Sequence, residues 1–78
     1  MATNLTAAIA DAVREHLRRR GVSQRTAGPL LGMSQQALSD RLTGRTPFTL
    51  ADLERLADLL DLPVSDLLQP RQVQEVGA

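Results

Sequence analysis

Gln35 and Gln36 stand side by side directly after Ser34, and their side-chain amides are the groups in this chain most suited to reading a base edge. A carboxamide has one donor side and one acceptor side, the complement of N7 and N6 of adenine, so two adjacent glutamines can read adjacent bases. Ala37 can touch a thymine methyl, and Asp40 can accept from cytosine N4, although its charge also repels phosphate. Asp40 has a plainer reading as the ion-pair partner of Arg41 or of another arginine. Reactive chemistry lacks its parts. His16 is the sole histidine, cysteine is absent, Ser34 and Ser39 have no base in view, and there is no glycine-rich phosphate loop. The expectation is therefore a non-enzyme with no cofactor, no metal and no small-molecule ligand.

The elements that must position these side chains lie between Ser23 and Gly44. Ser23 and Ser34 are both suited to cap a helix, because a serine oxygen accepts an orphan N–H of the first turn. Gly32, between them, can take the positive φ that ends one helix and begins a sharp turn. Leu31, Met33, Leu38 and Leu42 supply an apolar side, which leaves the polar residues after Ser34 outside. Two short helices so joined are the arrangement of a DNA-binding helix-turn-helix, whose second helix presents its N-terminal side chains to the major groove.

Periodicity places three more helices around this pair. Leu5, Ile9, Ala12, Val13 and Leu17 form one stripe, predicting a helix from Leu5 or Thr6 to Arg20, capped by Asn4 or Thr6 and stopped by Gly21. The second helix spans about Gln24 to Leu31 and the third about Gln35 to Thr43. Gly28-Pro29 inside the second predicts a kink or loosened turn, with Gly28 admitting a close approach of the third helix. Thr49 and Asp52 open a fourth helix through a variant capping box, with Leu50, Leu53, Leu56, Ala57 and Leu60 on its core face. A short fifth helix starts near Pro63 and ends at Pro70. The expected organisation is one domain over 1–69 and a flexible tail over 70–78.

With 78 residues, no cysteine and Phe48 as the only aromatic, the core must be built from leucine without disulfide or metal support. Leucine and alanine favour helix, and no β-branched run suggests a strand, so the fold class is all-α. Net charge is zero, yet it is unevenly spread. Residues 14–45 hold seven arginines against Glu15 and Asp40, while residues 46–78 hold two arginines against six acids. Positive charge thus gathers on the helix-turn-helix and the helix before it, where phosphates would lie. Arg18, Arg19 and Arg20 also suit the negative end of the first helix. No apolar run approaches the roughly 20 residues of a membrane span. The Leu5–Ala10 stretch lacks a preceding basic segment and is cut by Asp11, so a cytoplasmic protein is expected.

Ser23-Gln24, Leu31-Gly32, Ser34, Leu38-Ser39, Gly44, Pro47 and the Leu53, Leu56-Ala57, Leu60 pattern together resemble the phage repressor and Cro-type helix-turn-helix family, the XRE-like DNA-binding domain. The resemblance covers about residues 6–69 and implies a compact five-helix bundle of the lambda repressor-like kind. It implies that Gln35, Gln36 and Ala37 read base edges, with Ser39 and Asp40 further along, and that Gln24 bonds a phosphate. It implies that Thr43, Arg45 and Thr46 grip the DNA backbone beyond the recognition helix. Ser23, Arg25, Ser34 and Arg41 complete the expected phosphate contacts, Arg41 by laying its stem over the core and presenting its head outward. One departure concerns the core. Many members place Glu where this chain has Leu42, often paired with a basic residue at the position of Leu17, so a Leu17–Leu42 contact is expected to replace that ion pair.

The function so implied is a sequence-specific transcriptional regulator, a small Cro-like or immunity repressor of phage type occupying operator DNA in a bacterial host, associated with its nucleoid. Two copies on a palindrome about one helical turn apart are expected, with Leu67, Leu68, Val73 and Val76 as candidates for a homodimer contact. At this length, the separate oligomerisation or self-cleavage domain of large phage repressors is not expected. The competing reading is an antitoxin-type regulator or interaction module that binds a partner protein through the acidic C-terminal helices, using Leu62, Val64, Leu67 and Leu68.

Overall fold

Asn4, Ser23, Ser34 and Thr49 hold extended backbone, and each accepts through its side chain the N–H three residues on. In the computed structural model, which describes residues 4–68, these caps open α1 (Leu5–Arg19), α2 (Gln24–Leu30), α3 (Gln35–Leu42) and α4 (Leu50–Leu60). A fifth helix, α5 (Val64–Leu68), follows Pro63. Asn4 is the cap of α1, and Thr49 with Asp52 closes a full capping box at α4. Val73, Val76 and the expected tail over 70–78 lie outside the described residues.

The first four helices end in the same way. Gly21, Gly32, Gly44 and Asp61 take positive φ of 65°, 69°, 82° and 57°. The N–H that follows each reaches back into the last turn: Val22 to Leu17 at 3.0 Å, Met33 to Gly28 at 2.9 Å, Arg45 to Asp40 at 2.9 Å and Leu62 to Ala57 at 2.9 Å. At Gly32 a Cβ would meet nothing within 4 Å, so its φ alone calls for glycine in the turn between α2 and α3.

Asp61 is the one residue with a Cβ in this role. The left-handed region costs such a residue about 1–2 kcal/mol, and a carboxylate is unfavourable at the negative end of a helix. Against that stands the extra backbone freedom a glycine loses on folding, about 0.4–1 kcal/mol. Asp61→Gly is expected to raise the unfolding free energy by about 0.5–1 kcal/mol, read from the urea midpoint. An unchanged or lower midpoint would show that the aspartate side chain stabilises its turn more than the backbone strain costs.

α3 packs against α1 and α2, and α5 packs against α1 and α4. Between them lies a core built mostly of leucine: Leu17, Leu31, Leu38, Leu42, Leu53, Leu56, Leu60 and Leu67, joined by Val13, Ala27 and Ala57. Leu17 and Leu42 are 4% and 1% exposed and belong to this one cluster, so both positions are apolar and buried. Beside them Arg14 donates from Nη1 to the Leu42 carbonyl at 3.0 Å, satisfying one of the orphan acceptors at the end of α3. Nothing in the sequence had distinguished Arg14 from the other arginines of α1.

Pro29 does not break α2, and one expectation about this helix is corrected. The helix runs unbroken through Pro29 to Leu30. Only one intrahelical donor is lost there, and the helix ends one residue later, so little regular structure remains for the ring to disturb. The group that comes close to Gly28 is not α3 but the Met33 carbonyl, which a Cβ at Gly28 would meet at 3.2 Å. Gly28 therefore makes room for the backbone of the turn.

Candidate nucleic-acid interface

The start of α3 is held from within. The Ser34 hydroxyl accepts the Ala37 N–H at 3.1 Å, which fixes the first turn and leaves Gln35 and Gln36 exposed. The Ser23 hydroxyl does the same for Thr26 at 3.1 Å and also donates to Thr26 Oγ1. Because the turn at Gly32 folds α2 back on α3, Gln24 at the start of α2 joins Gln35, Gln36 and Ser39 around a shallow, open cleft. Ala37, Ser39 and Asp40 are half-buried on α3.

At the other end of α3, the Asp40 main-chain carbonyl accepts three donors. These are the Arg45 N–H at 2.9 Å, the Thr46 N–H at 3.1 Å and the Thr43 hydroxyl at 3.1 Å. The loop after α3 is thereby fastened to the helix that carries the glutamines. Arg45 is exposed, and among the described residues no side-chain partner holds the guanidinium of Arg25 or of Arg45.

A family model described as a helix-turn-helix domain matches residues 8–69, most of the chain. The chain belongs to the helix-turn-helix family. No curated protein matches it significantly. Among solved structures it is similar to the restriction-modification controller protein C.AhdI from Aeromonas hydrophila, at 24% identity and a TM-score of 0.74, over 80% of this chain and 94% of that one. It is also similar to the hypothetical transcription factor NHTF from Neisseria, at 25% identity and a TM-score of 0.78, over 86% of this chain and 75% of that one. The five-helix arrangement is that of the lambda repressor-like fold.

Within this helix-turn-helix domain the arginines divide into bound and unbound. Arg41 turns inward: its Nε donates to Asp52 Oδ2 at 3.3 Å and its Nη1 to the Ala37 carbonyl at 2.9 Å, with 22% of its side chain exposed. Asp52 is buried and accepts the Thr49 N–H in the capping box, so Arg41 ties α3 to the start of α4. The ion-pair partner expected for Asp40 is thus engaged elsewhere. Asp40 instead accepts from Gln36 Nε2 at 2.9 Å through Oδ1.

Arg18 and Arg19 both hydrogen-bond Glu15, at 2.7 Å and 2.9 Å, and these bonds, Arg18's first, hold the Glu15 carboxyl down to about 2. Arg20 lies against His16 Nδ1 at 3.5 Å, and burial followed by Arg20 lowers the His16 imidazole below its usual range. A groove of about 780 Å³ along α1 is walled by Arg14, Asp11, Arg18 and Glu15. Arg14 pairs with Asp11 and Arg18 with Glu15, so the charges along its wall already neutralise one another. Among the described residues no helix is long and apolar enough to cross a membrane.

Proposed function

We propose that this helix-turn-helix protein is a sequence-specific repressor that occupies operator duplex DNA. The observation that carries the reading is the cleft where Gln24, Gln35, Gln36 and Ser39 converge, on a helix whose capping and packing are satisfied from the inside. The exposed Gln24, Gln35 and Gln36 and the half-buried Ser39 are uncharged hydrogen-bonding side chains outside the hydrophobic core, and they match base edges and phosphate oxygens. In this reading α3 enters the major groove with Gln35, Gln36 and Ala37 at base edges and with Ser39 and Asp40 deeper along the helix. Ser23, Gln24, Arg25 and Ser34 meet phosphates on one side, and Thr43, Arg45 and Thr46 meet them on the other. Arg41 contributes to backbone binding chiefly by holding α3 to α4. One domain reads half a site, so two copies on a palindrome supply the affinity.

Selection of binding sites from random duplex DNA at physiological salt tests this directly. A two-fold motif with half-sites about ten base pairs apart is the expected result. An ungapped half-motif would remove the dimer and keep the DNA reading. Failure to enrich any sequence would favour a module that binds a partner protein through α4 and α5, where Leu50 and Leu68 are 62% and 42% exposed beside Glu54, Asp58 and Asp66.

Arg45 separates grip from readout. Arg45→Ala is expected to weaken binding to all sequences alike and to lower the slope of log K against log salt by about one phosphate's worth, roughly 0.9. A change in base preference with an unaltered salt slope would move Arg45 from the backbone to the bases.

A further inference from the structure

The bond between Gln36 Nε2 and Asp40 Oδ1, at 2.9 Å, joins two residues one helical turn apart on the face of α3 that carries the cleft. A glutamine carboxamide can rotate by a half-turn about its last bond, exchanging its oxygen and nitrogen at little cost. In isolation it therefore offers a base either polarity. An ionised carboxylate only accepts hydrogen bonds, so beside Asp40 only the NH2 side is favourable, and the opposite orientation sets two oxygens against each other. One of the two Nε2 hydrogens is used in this way. When Asp40 takes the hydrogen trans to Oε1, the other hydrogen and Oε1 stay together as a donor–acceptor edge, the pair that adenine N7 and N6 require. The backbone that carries Asp40 is tied to the loop after α3, since its main-chain carbonyl accepts from Arg45, Thr46 and Thr43.

From this geometry we infer that Asp40 is a positioning residue, one that sets the polarity of the Gln36 carboxamide and so decides which base Gln36 accepts. The inference rests on the reading of Gln36 as a base contact. It gives the acidic side chain of α3 a role other than contacting cytosine. It also accounts for a carboxylate on a surface read as facing DNA, since the repulsion from phosphate is the cost of a fixed donor–acceptor edge.

The test measures discrimination, the ratio of affinities for the selected operator and for the same operator with the base pair opposite Gln36 exchanged. It is measured for the full chain and for Asp40→Ala, Asp40→Asn, Asp40→Glu, Gln36→Ala and the double variant Gln36→Ala with Asp40→Ala. An exposed hydrogen bond to a charged group, at the low end of the range for such bonds, corresponds to about a tenfold loss of discrimination on Asp40→Ala. Asp40→Asn, which keeps the size but can face the amide as donor or acceptor, is expected to lose most of the same ratio. Asp40→Glu is expected to stay within about twofold, since it restores an acceptor-only partner at this spacing. In the Gln36→Ala background, removing Asp40 is expected to change affinity for both operators equally.

A ratio unchanged by Asp40→Ala, or one that falls to the same extent with and without Gln36, would overturn the inference. If Gln36→Ala leaves the ratio intact, the base-contact reading fails and the inference falls with it. A measurement without DNA tells the two failures apart. The 15N relaxation of the Gln36 side-chain amide is expected to report an ordered group in the wild type and a mobile one in Asp40→Ala. Equal mobility in both would refute the Asp40 anchor itself, whatever the DNA result.

Discussion

Replacing Leu42 by glutamate is expected to lower the unfolding free energy by about 3–5 kcal/mol, because it leaves a charge in the core without a partner. Leu42 is 1% exposed and shares its cluster with Leu17, and the adjacent cation, Arg14, is already engaged by Asp11 and by the Leu42 carbonyl. A domain of this size has a total stability of about 4–12 kcal/mol, so the substitution removes between about a quarter of it and all of it. The loss is also expected to depend on pH. Burial raises the folded-state pKa of the new carboxyl above its unfolded value, so the variant is least impaired at acid pH, where the group is neutral in both states. Its deficit grows as pH rises past the unfolded pKa.

Leu17→Arg alone should be similarly harmful, while the double variant Leu17→Arg with Leu42→Glu should be less destabilised than the sum of the two. A coupling of about 1–3 kcal/mol would show that the two positions face each other as the family's ion pair does. Strict additivity in urea or thermal melts would show that they do not. The leucine pair is the simpler solution, since a well-packed apolar pair is often at least as stable as a buried ion pair and leaves no charge to be stranded.

The second large effect is expected on binding. Gln36→Ala should weaken binding to the best operator by about 1–3 kcal/mol and relax preference at one base pair, with little effect on the melting temperature. Stability is spared because Gln36 is exposed and its one side-chain bond, to Asp40, lies on the surface of α3. Affinities for operators altered at each position in turn are the check. A uniform loss across all of them would mean that Gln36 meets the DNA backbone, and no loss at all would remove it from the interface.

The Gln36–Asp40 bond was open to reading from the sequence and was missed for a specific reason. Residues four apart on a helix face one another, while adjacent residues such as Asp40 and Arg41 do not. Matching charge to charge pointed to the arginine next in sequence, whereas helical spacing pointed to the glutamine. Arg41 could not have been placed in the same way. Its partner Asp52 is eleven residues on, across a loop and on another helix, and only the packing of α4 brings the two together. The same holds for Arg14 and the Leu42 carbonyl, 28 residues apart.

What the sequence determined by itself was local. Asn4, Ser23, Ser34 and Thr49 mark where helices begin, Gly21, Gly32 and Gly44 mark where they turn, and the leucine spacing selects the buried side of each, except that Leu5 and Leu50 at the helix starts are 54% and 62% exposed. These signals act within a few residues, and they are sufficient for an all-α fold with a helix-turn-helix at its centre. The tertiary structure decided which arginines are taken and which are free. It sent Arg41 inward to Asp52, set Arg14 on the end of α3, filled the space beside Gly28 with the Met33 carbonyl and gathered Gln24 with the glutamines of α3. A charged side chain on a long flexible stem can reach many partners, and its choice follows from distances between helices that no run of neighbouring residues encodes.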